Sequence, residues 1–306
     1  MGQTQVVAVT GSSGLIGSAL VASLEADGHR VVRLVRREPA ARGEVRWDPA
    51  VGTLDPAGLE GVDGVVHLAG AGVGERRWSA AQRTRILESR TRSTDLLART
   101  CATLDRPPAV FVSGSAVGLY GDTGDRVVDE TAPRGSGFLA DVVTAWERSA
   151  APAQEAGIRT AFARTGVVTT TTGGALGRLL PLVRLGLGGP LGSGRQWWPL
   201  ISLGDEVRAL RLLLDDERAT GAYNLVTTTA QMGTFVRALG AAWSRPAVLP
   251  VPAPVLRLVL GEMSRVVLDS QRVVSTRLPE LGFVAEDAGV EGIVAALRRE
   301  RAAGRA

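Results

Sequence analysis

The chain of 306 residues contains no lysine, one cysteine, two histidines and two tyrosines. Without lysine, no proton donor can be built from a tyrosine with a lysine four residues on. Gly124 follows Tyr120 at that spacing, and Thr227 follows Tyr223. The lone Cys101 excludes a disulfide framework and a thiolate metal site, so no metal is expected and a reducing cytoplasm fits. No apolar stretch reaches the roughly 18–20 residues that cross a bilayer, which argues against a membrane protein. The N-terminus enters a strand almost at once, with no basic n-region and no cleavage site, and that argues against secretion.

Charge of neither sign dominates. The isoelectric point near 10.3 invites a nucleic-acid partner, but the net charge is only +4. Every Lys/Arg-type cation is arginine, whose very high pKa lifts the isoelectric point without adding much field. Acids interleave with the arginines, so no nucleic acid is expected. An apolar share of 45% and a charged share of 22% suit a globular protein with one large α/β domain and a smaller second one.

What the chain does contain is a strand–helix alternation. Apolar runs predict strands at residues 5–10, 30–35, 44–47, 62–68, 109–113 and 159–163. Between them, helical patterns cover 15–26, 79–103 and 139–156. This pattern predicts an α/β fold, a Rossmann-type doubly wound parallel sheet over residues 1–168. After that the grammar changes: a Thr/Gly-rich loop at 169–174, then five glycines in the ten residues 185–194. A helix at 205–214, capped by Asp205, and a strand at 223–226 lead back to the main sheet, so 204–229 belongs to the first unit. Residues 169–203 and 230–306 are expected to form a smaller, mostly helical substrate-side domain.

The first strand runs into Gly11-Ser12-Ser13-Gly14-Leu15-Ile16-Gly17. In this spacing the first glycine permits the tight turn, the second lets backbone approach a pyrophosphate, and the third lets helix and sheet pack closely. The helix start near Leu15 offers unpaired N–H groups to phosphate. Nineteen residues past Gly17 stands Arg36, then Arg37, where an NAD-binding chain usually carries an acid for the ribose 2′-OH. A guanidinium there pairs with a 2′-phosphate, so the expected cofactor is NADP. Leu68-Ala69-Gly70 ends the fourth strand with small residues that let the chain pass the adenosine ribose. His67, on a buried strand, reads as a structural histidine.

Taken together these runs resemble the extended short-chain dehydrogenase/reductases, the NAD-dependent epimerase/dehydratases, and most of all an atypical "epimerase family" branch with a C-terminal domain of unknown function. Its marks are the glycine motif, Trp47-Asp48-Pro49, Leu68-Ala69-Gly70, Arg77-Trp78 and the run Ser113 to Gly121. They continue in Gly137 to Ala140, Arg164 to Val168, Leu185 to Gly189, Gly192 to Gln196, Gly261-Glu262 and Ser270 to Val273. The resemblance implies that Arg164, Gly166 and Val167 lie beside the cofactor, that Ser115 bonds a substrate oxygen, and that a homodimer can form through helices flanking the sheet. The usual Tyr-x-x-x-Lys pair aligns with Phe138 and Val142, and the usual helix asparagine with Arg90, so three of four catalytic positions depart from the pattern.

Tyr120, five residues past Ser115, is the remaining candidate to donate a proton. Glu147 beside Trp146 reads as an ion-pair member. Arg184 and Arg195 flank the glycine-rich run and suit a two-point grip on an anionic small-molecule substrate, with Trp197-Trp198 as an apolar wall. Two roles stay open at this point: an NADP-dependent oxidoreductase or epimerase-like enzyme acting on a small polar molecule, and an NADP(H)-binding sensor that no longer turns over.

Overall fold

The computed structural model describes residues 4–186 and 188–303; Leu187 of the glycine-rich run and the extreme ends of the two expected units, 1–3 and 304–306, lie outside them. The main sheet is built from β1 (Val6–Thr10), β2 (Arg30–Val35), β3 (Glu44–Asp48), β4 (Thr53–Leu54), β5 (Gly64–His67), β6 (Val110–Ala116), β7 (Arg159–Thr165) and, after β8 (Val167–Thr169) and β9 (Trp197–Ser202) have left it, β10 (Gly221–Leu225). Its order is β10-β7-β6-β5-β1-β2-β3-β4, parallel throughout except for the β3–β4 pair. Sequential crossovers on either side of β1 make this the doubly wound sheet expected from the alternation.

Both faces are covered. The helices α1 (Leu15–Ala26) and, later in the chain, α6 (Leu203–Asp215) pack on one face. On the other lie α2 (Ala80–Ala102), α3 (Phe138–Arg148) and α4 (Ala151–Glu155), the last packed on α2 and β7. Strands buried on both sides favour apolar residues on both faces, which is why β1 and β5 read as Val-rich runs without alternation up to the buried polar Thr10 and His67 at their ends.

Three of the differences from the sequence pattern have a clear local reason. The expected helix 139–156 is two helices, because Pro152 in the first turn of α4 has no N–H to continue the ladder and Ser149 closes α3 onto the Ala145 and Trp146 carbonyls. The strand expected at 109–113 runs on to Ala116, since β7 pairs with it as far as Ser115↔Arg164 and Ala116↔Thr165. Asp205 does not cap α6. Ser202 does, accepting from the Asp205 N–H at 3.1 Å. The buried Asp205 carboxylate instead receives the backbone N–H groups of Glu286 and Asp287 and the Arg208 guanidinium.

A second sheet, not legible in the sequence, is formed by β8, β9 and β11 (Thr228–Gln231) in the order β11-β9-β8. Pro199 disguises β9, yet β8 pairs with it only from Leu200 onward, so the proline sits beyond the end of that ladder. Around this sheet a separate apolar core gathers α5 (Gly174–Arg184), α7 (Met232–Ala242) and, after the short helices α8 (Ala253–Leu260), α9 (Arg265–Leu268) and α10 (Arg277–Glu280), the closing α11 (Gly289–Ala303). No described helix is long and apolar enough to cross a membrane, and no described group of His, Cys, Asp and Glu is arranged to hold a metal ion.

Candidate active site

At the carboxyl end of β1 the glycine turn has the shape a diphosphate needs. Gly11 has φ +66°, and a Cβ on it would stand 2.9 Å from the Leu68 carbonyl carbon; a Cβ on Gly17 would overlap the Gly11 carbonyl. Any side chain at either position would fill the cradle. Gly14, the N-cap of α1, contributes no side-chain bond, and no acid lies in the first turn, so the first N–H groups of the helix are left for an anion. Gly173 and Gly174 approach Leu15 closely enough that a Cβ on either would touch it, so the start of α5 borders the same turn. The exposed Ser13 and Gly14 form its tip.

The two arginines after β2 differ. Arg37 donates to Glu44 and to the Glu38 carbonyl, both at 2.8 Å. Arg36 is exposed and its side chain has no partner among the described residues. It stands just past the end of β2, the strand that pairs with β1.

Thr10 ties the ends of β1 and β5 together. Its hydroxyl oxygen receives the N–H groups of Leu68 and Ala69 at 3.1 Å, so its proton goes to His67 Nδ1 at 2.7 Å. The opposite ring nitrogen then carries the proton, facing Ser93 Oγ at 3.1 Å. Burial, then the nearby Arg90 charge, hold this histidine down at about 3, neutral at ordinary pH. It is structural.

Ser115 and Arg164 are register partners on β6 and β7, and Glu147 of α3 reaches both. The Ser115 hydroxyl donates to Glu147 Oε1 at 2.6 Å, while Arg164 grips the same carboxylate with Nε at 2.8 Å and Nη2 at 2.9 Å. The pair is only 10% and 16% exposed, a two-point charge-assisted contact in a low-dielectric setting. Burial pulls the Arg164 guanidinium down, but Glu147 outweighs it and holds the arginine above its ordinary value. Arg164 was expected beside the cofactor; its fork is instead committed to Glu147, with Nη1 donating to the Tyr120 hydroxyl at 3.0 Å.

Tyr120 closes the 3-10 turn Val117–Tyr120 and is 2% exposed. Its hydroxyl accepts from Arg164 and donates to Asn224 Oδ1 at 2.8 Å. Burial pushes the phenol up more than Arg164 pulls it down. The proton-donor expectation therefore needs correction: both directions of this hydroxyl are spent inside the protein, and Tyr120 holds Arg164 in place.

The substrate-side expectations fare unevenly. Trp198 is 5% exposed, lies in the second core and donates to the Val267 carbonyl, so it is not a substrate wall. Strand alternation places its neighbour on the other face: Trp197 is half-buried, bonds Asp125, stacks against Arg272 at 4.3 Å and lines a cavity of about 340 Å³. Arg184, in the last turn of α5, and Arg195 are exposed, with no side-chain partner among the described residues, and no contact joins either to Ser115. Gly166 and Val167 make the step between the sheets, Gly166 N–H bonding the Leu225 carbonyl. Phe138 packs edge-on to Trp78 and under Arg83.

A family model described as "NAD dependent epimerase/dehydratase family" matches residues 7–225, and one described as "Domain of unknown function (DUF1731)" matches 251–288. The chain belongs to the NAD dependent epimerase/dehydratase family. Within it, the chain is similar to Epimerase family protein Mb2239 of Mycobacterium bovis, 44% identical over 283 residues that span 91% of this chain and 92% of that protein. It is also similar to the crystal structure of human epimerase family protein SDR39U1 with NADPH, at TM-score 0.88, 32% identity, 96% of this chain and 99% of that one. The nucleoside-diphosphate sugar epimerase of Corynebacterium glutamicum is similar at TM-score 0.81 and 32% identity, over 96% of this chain and 58% of that one. In this family member, Glu147 is the residue that sequence reasoning placed only in an ion pair. Its contact with Ser115 had one available signal, an acid on the helix that follows the serine strand.

Proposed function

We propose that the protein is an NADP(H)-dependent oxidoreductase or epimerase-like enzyme acting on a small polar molecule, in which Ser115 and Glu147 handle the proton that tyrosine and lysine handle elsewhere in the family. The observation that carries this reading is the Ser115–Glu147–Arg164 arrangement at the carboxyl edge of the sheet, on the strand two away from β1 and its glycine cradle, with Arg36, unpaired among the described residues, beyond it. The cradle, the α1 N-terminus and Arg36 would hold the diphosphate and 2′-phosphate, as the NADPH in the human relative's structure supports. The cofactor, once bound, supplies or takes the hydride.

The chain's own residues manage the rest. A substrate hydroxyl placed on Ser115 Oγ passes its proton to that oxygen as the Ser115 proton moves to Glu147 Oε1, and the substrate C–O bond becomes a carbonyl as its hydride leaves. Arg164 grips both oxygens of Glu147 and so holds the carboxylate aimed at the Ser115 hydroxyl that hands on the proton. Reduction runs the same path backwards. Residues 169–203 and 230–306 serve as the substrate-side unit. A cytoplasmic setting suits the buried Cys101, whose thiol burial pushes up to about 12.

Purified protein with NADPH or NADP⁺ is to be screened against carbonyl, alcohol and nucleotide-sugar panels, with Ser115→Ala and Glu147→Gln alongside. Turnover lost in both variants, with NADPH binding kept, supports the enzyme. The buried, fully bonded Tyr120 favours one rival, a cofactor-binding sensor. Tight NADPH binding with no turnover across the panels would establish that rival instead.

A further inference from the structure

The other α2 arginines that pair do so with carboxylates: Arg83 with Glu262, Arg92 with Glu88 and Arg99 with Asp95. Arg90 turns inward and forms no ion pair with any described residue. Its Nη1 donates to the Ala71 carbonyl at 2.9 Å and the Ile86 carbonyl at 3.1 Å, and its guanidinium carbon lies 5.0 Å from the Trp146 ring centre. Burial pulls this guanidinium down to about 10, and its field is felt at His67. A desolvated cation with no counter-charge is costly, and a ring face with two carbonyls restores only part of that cost.

The position of this charge is informative. Gly70, exposed at the carboxyl end of β5, lies so near that a Cβ there would stand 3.3 Å from the Arg90 guanidinium carbon. On the other side, a Cβ on Gly114 would meet the Trp146 ring at 3.1 Å, and Gly114 precedes Ser115. One indole thus separates the unneutralised guanidinium from the serine strand. The indole N–H is itself buried with no acceptor among the described residues.

We propose that Arg90 is the anion-recognising group of this site, and that the substrate carries an oxyanion, a carboxylate or a phosphate, close to the carbon that reacts at Ser115. The inference rests on the placement of the reaction at Ser115 argued above. The planar fork has donors beyond Nη1 with which to take an oxyanion at two points, which a lysine could not do. A neutral substrate would leave the guanidinium without a counter-charge throughout the catalytic cycle.

The full-length protein saturated with NADPH is to be titrated with acetate and with inorganic phosphate, against chloride at equal ionic strength. Tryptophan fluorescence and calorimetry give the readout. Saturable binding of acetate identifies a carboxylate, and of phosphate a phosphoryl group. Arg90→Gln should weaken that binding by about tenfold or more. Arg90→Lys, which keeps the charge and spares the fold if the glutamine does not, should recover part of it. NADPH affinity and the anion binding of Ser115→Ala should stay at wild-type level. The proposal falls if neither probe binds better than chloride, if Arg90→Gln binds them unchanged, or if that variant loses NADPH, which would assign Arg90 to the cofactor. Turnover of neutral carbonyls that needs Ser115 but not Arg90 would sink it too, while leaving the proposed enzyme standing.

Discussion

Glu206 offers a test of the structure that needs no substrate. It sits fully buried in the first turn of α6, its Oε1 accepting from the Thr165 hydroxyl at 2.7 Å, its Oε2 without a partner among the described residues. Burial raises it from its ordinary 4.5 to about 8, with only the Thr165 bond opposing. The unfolded carboxyl gives up its proton near 4.5 and the folded one near 8, so between those values the folded state holds more proton. Stability must therefore fall as pH rises through that window and level off above it. At about 1.4 kcal/mol per pH unit the whole effect is on the order of 5 kcal/mol. For a chain of this length about 1 kcal/mol moves the melting temperature by roughly 1.6 °C, so about 8 °C is at stake. Glu206→Gln cannot ionise and keeps the shape, though its buried amide N–H₂ costs roughly 1–3 kcal/mol at every pH. Melting curves from pH 5 to 9 should show the variant equal or weaker in acid and gaining on the wild type as pH rises. All other groups titrate alike in both proteins, so the difference isolates Glu206. Two curves that run parallel across the window would refute the reasoning.

Arg36→Ala should raise the Kd for NADPH by about tenfold or more and leave NADH nearly unchanged, because a charge-assisted bond to phosphate is lost. Arg37→Ala, whose side chain is already engaged by Glu44, should do less. Equal losses for both nucleotides in a fluorescence titration would disprove the 2′-phosphate contact. Gly17→Ala should cost roughly 1–3 kcal/mol in a denaturant melt and weaken NADPH as well, since its methyl overlaps the Gly11 carbonyl. Wild-type values for both would mean the turn is looser than described. Trp198→Ala should cost roughly 3–5 kcal/mol as a core cavity. Trp197→Ala should cost only about 1 kcal/mol, through its lost Arg272 stacking. Thermal melts that reverse this ranking would put the wrong tryptophan in the core.

Much of the fold is written locally. The strand-turn-helix at Val6–Ala26 follows from an apolar run, three glycines and a helical pattern within about twenty residues, and each of those choices has a steric reason that needs no distant partner. The arginines after β2 and the buried His67 strand were legible in the same way. The tryptophans were not, because which face of Trp197-Trp198 turns inward depends on a sheet partner, β11, thirty residues on.

The Ser115–Glu147–Arg164 arrangement belongs wholly to the tertiary structure. Glu147 meets Ser115 across 32 residues and Arg164 across 17, and Tyr120 meets Asn224 across 104. Sequence alone determined the glycine turn between β1 and α1 and the pair of arginines after β2, because those constraints act between neighbours. Which carboxylate the serine faces, which arginine is neutralised and which is left bare were decided only by folding. Burial is what gives those pairings their energy, and burial is a property of the assembled layers rather than of any one segment.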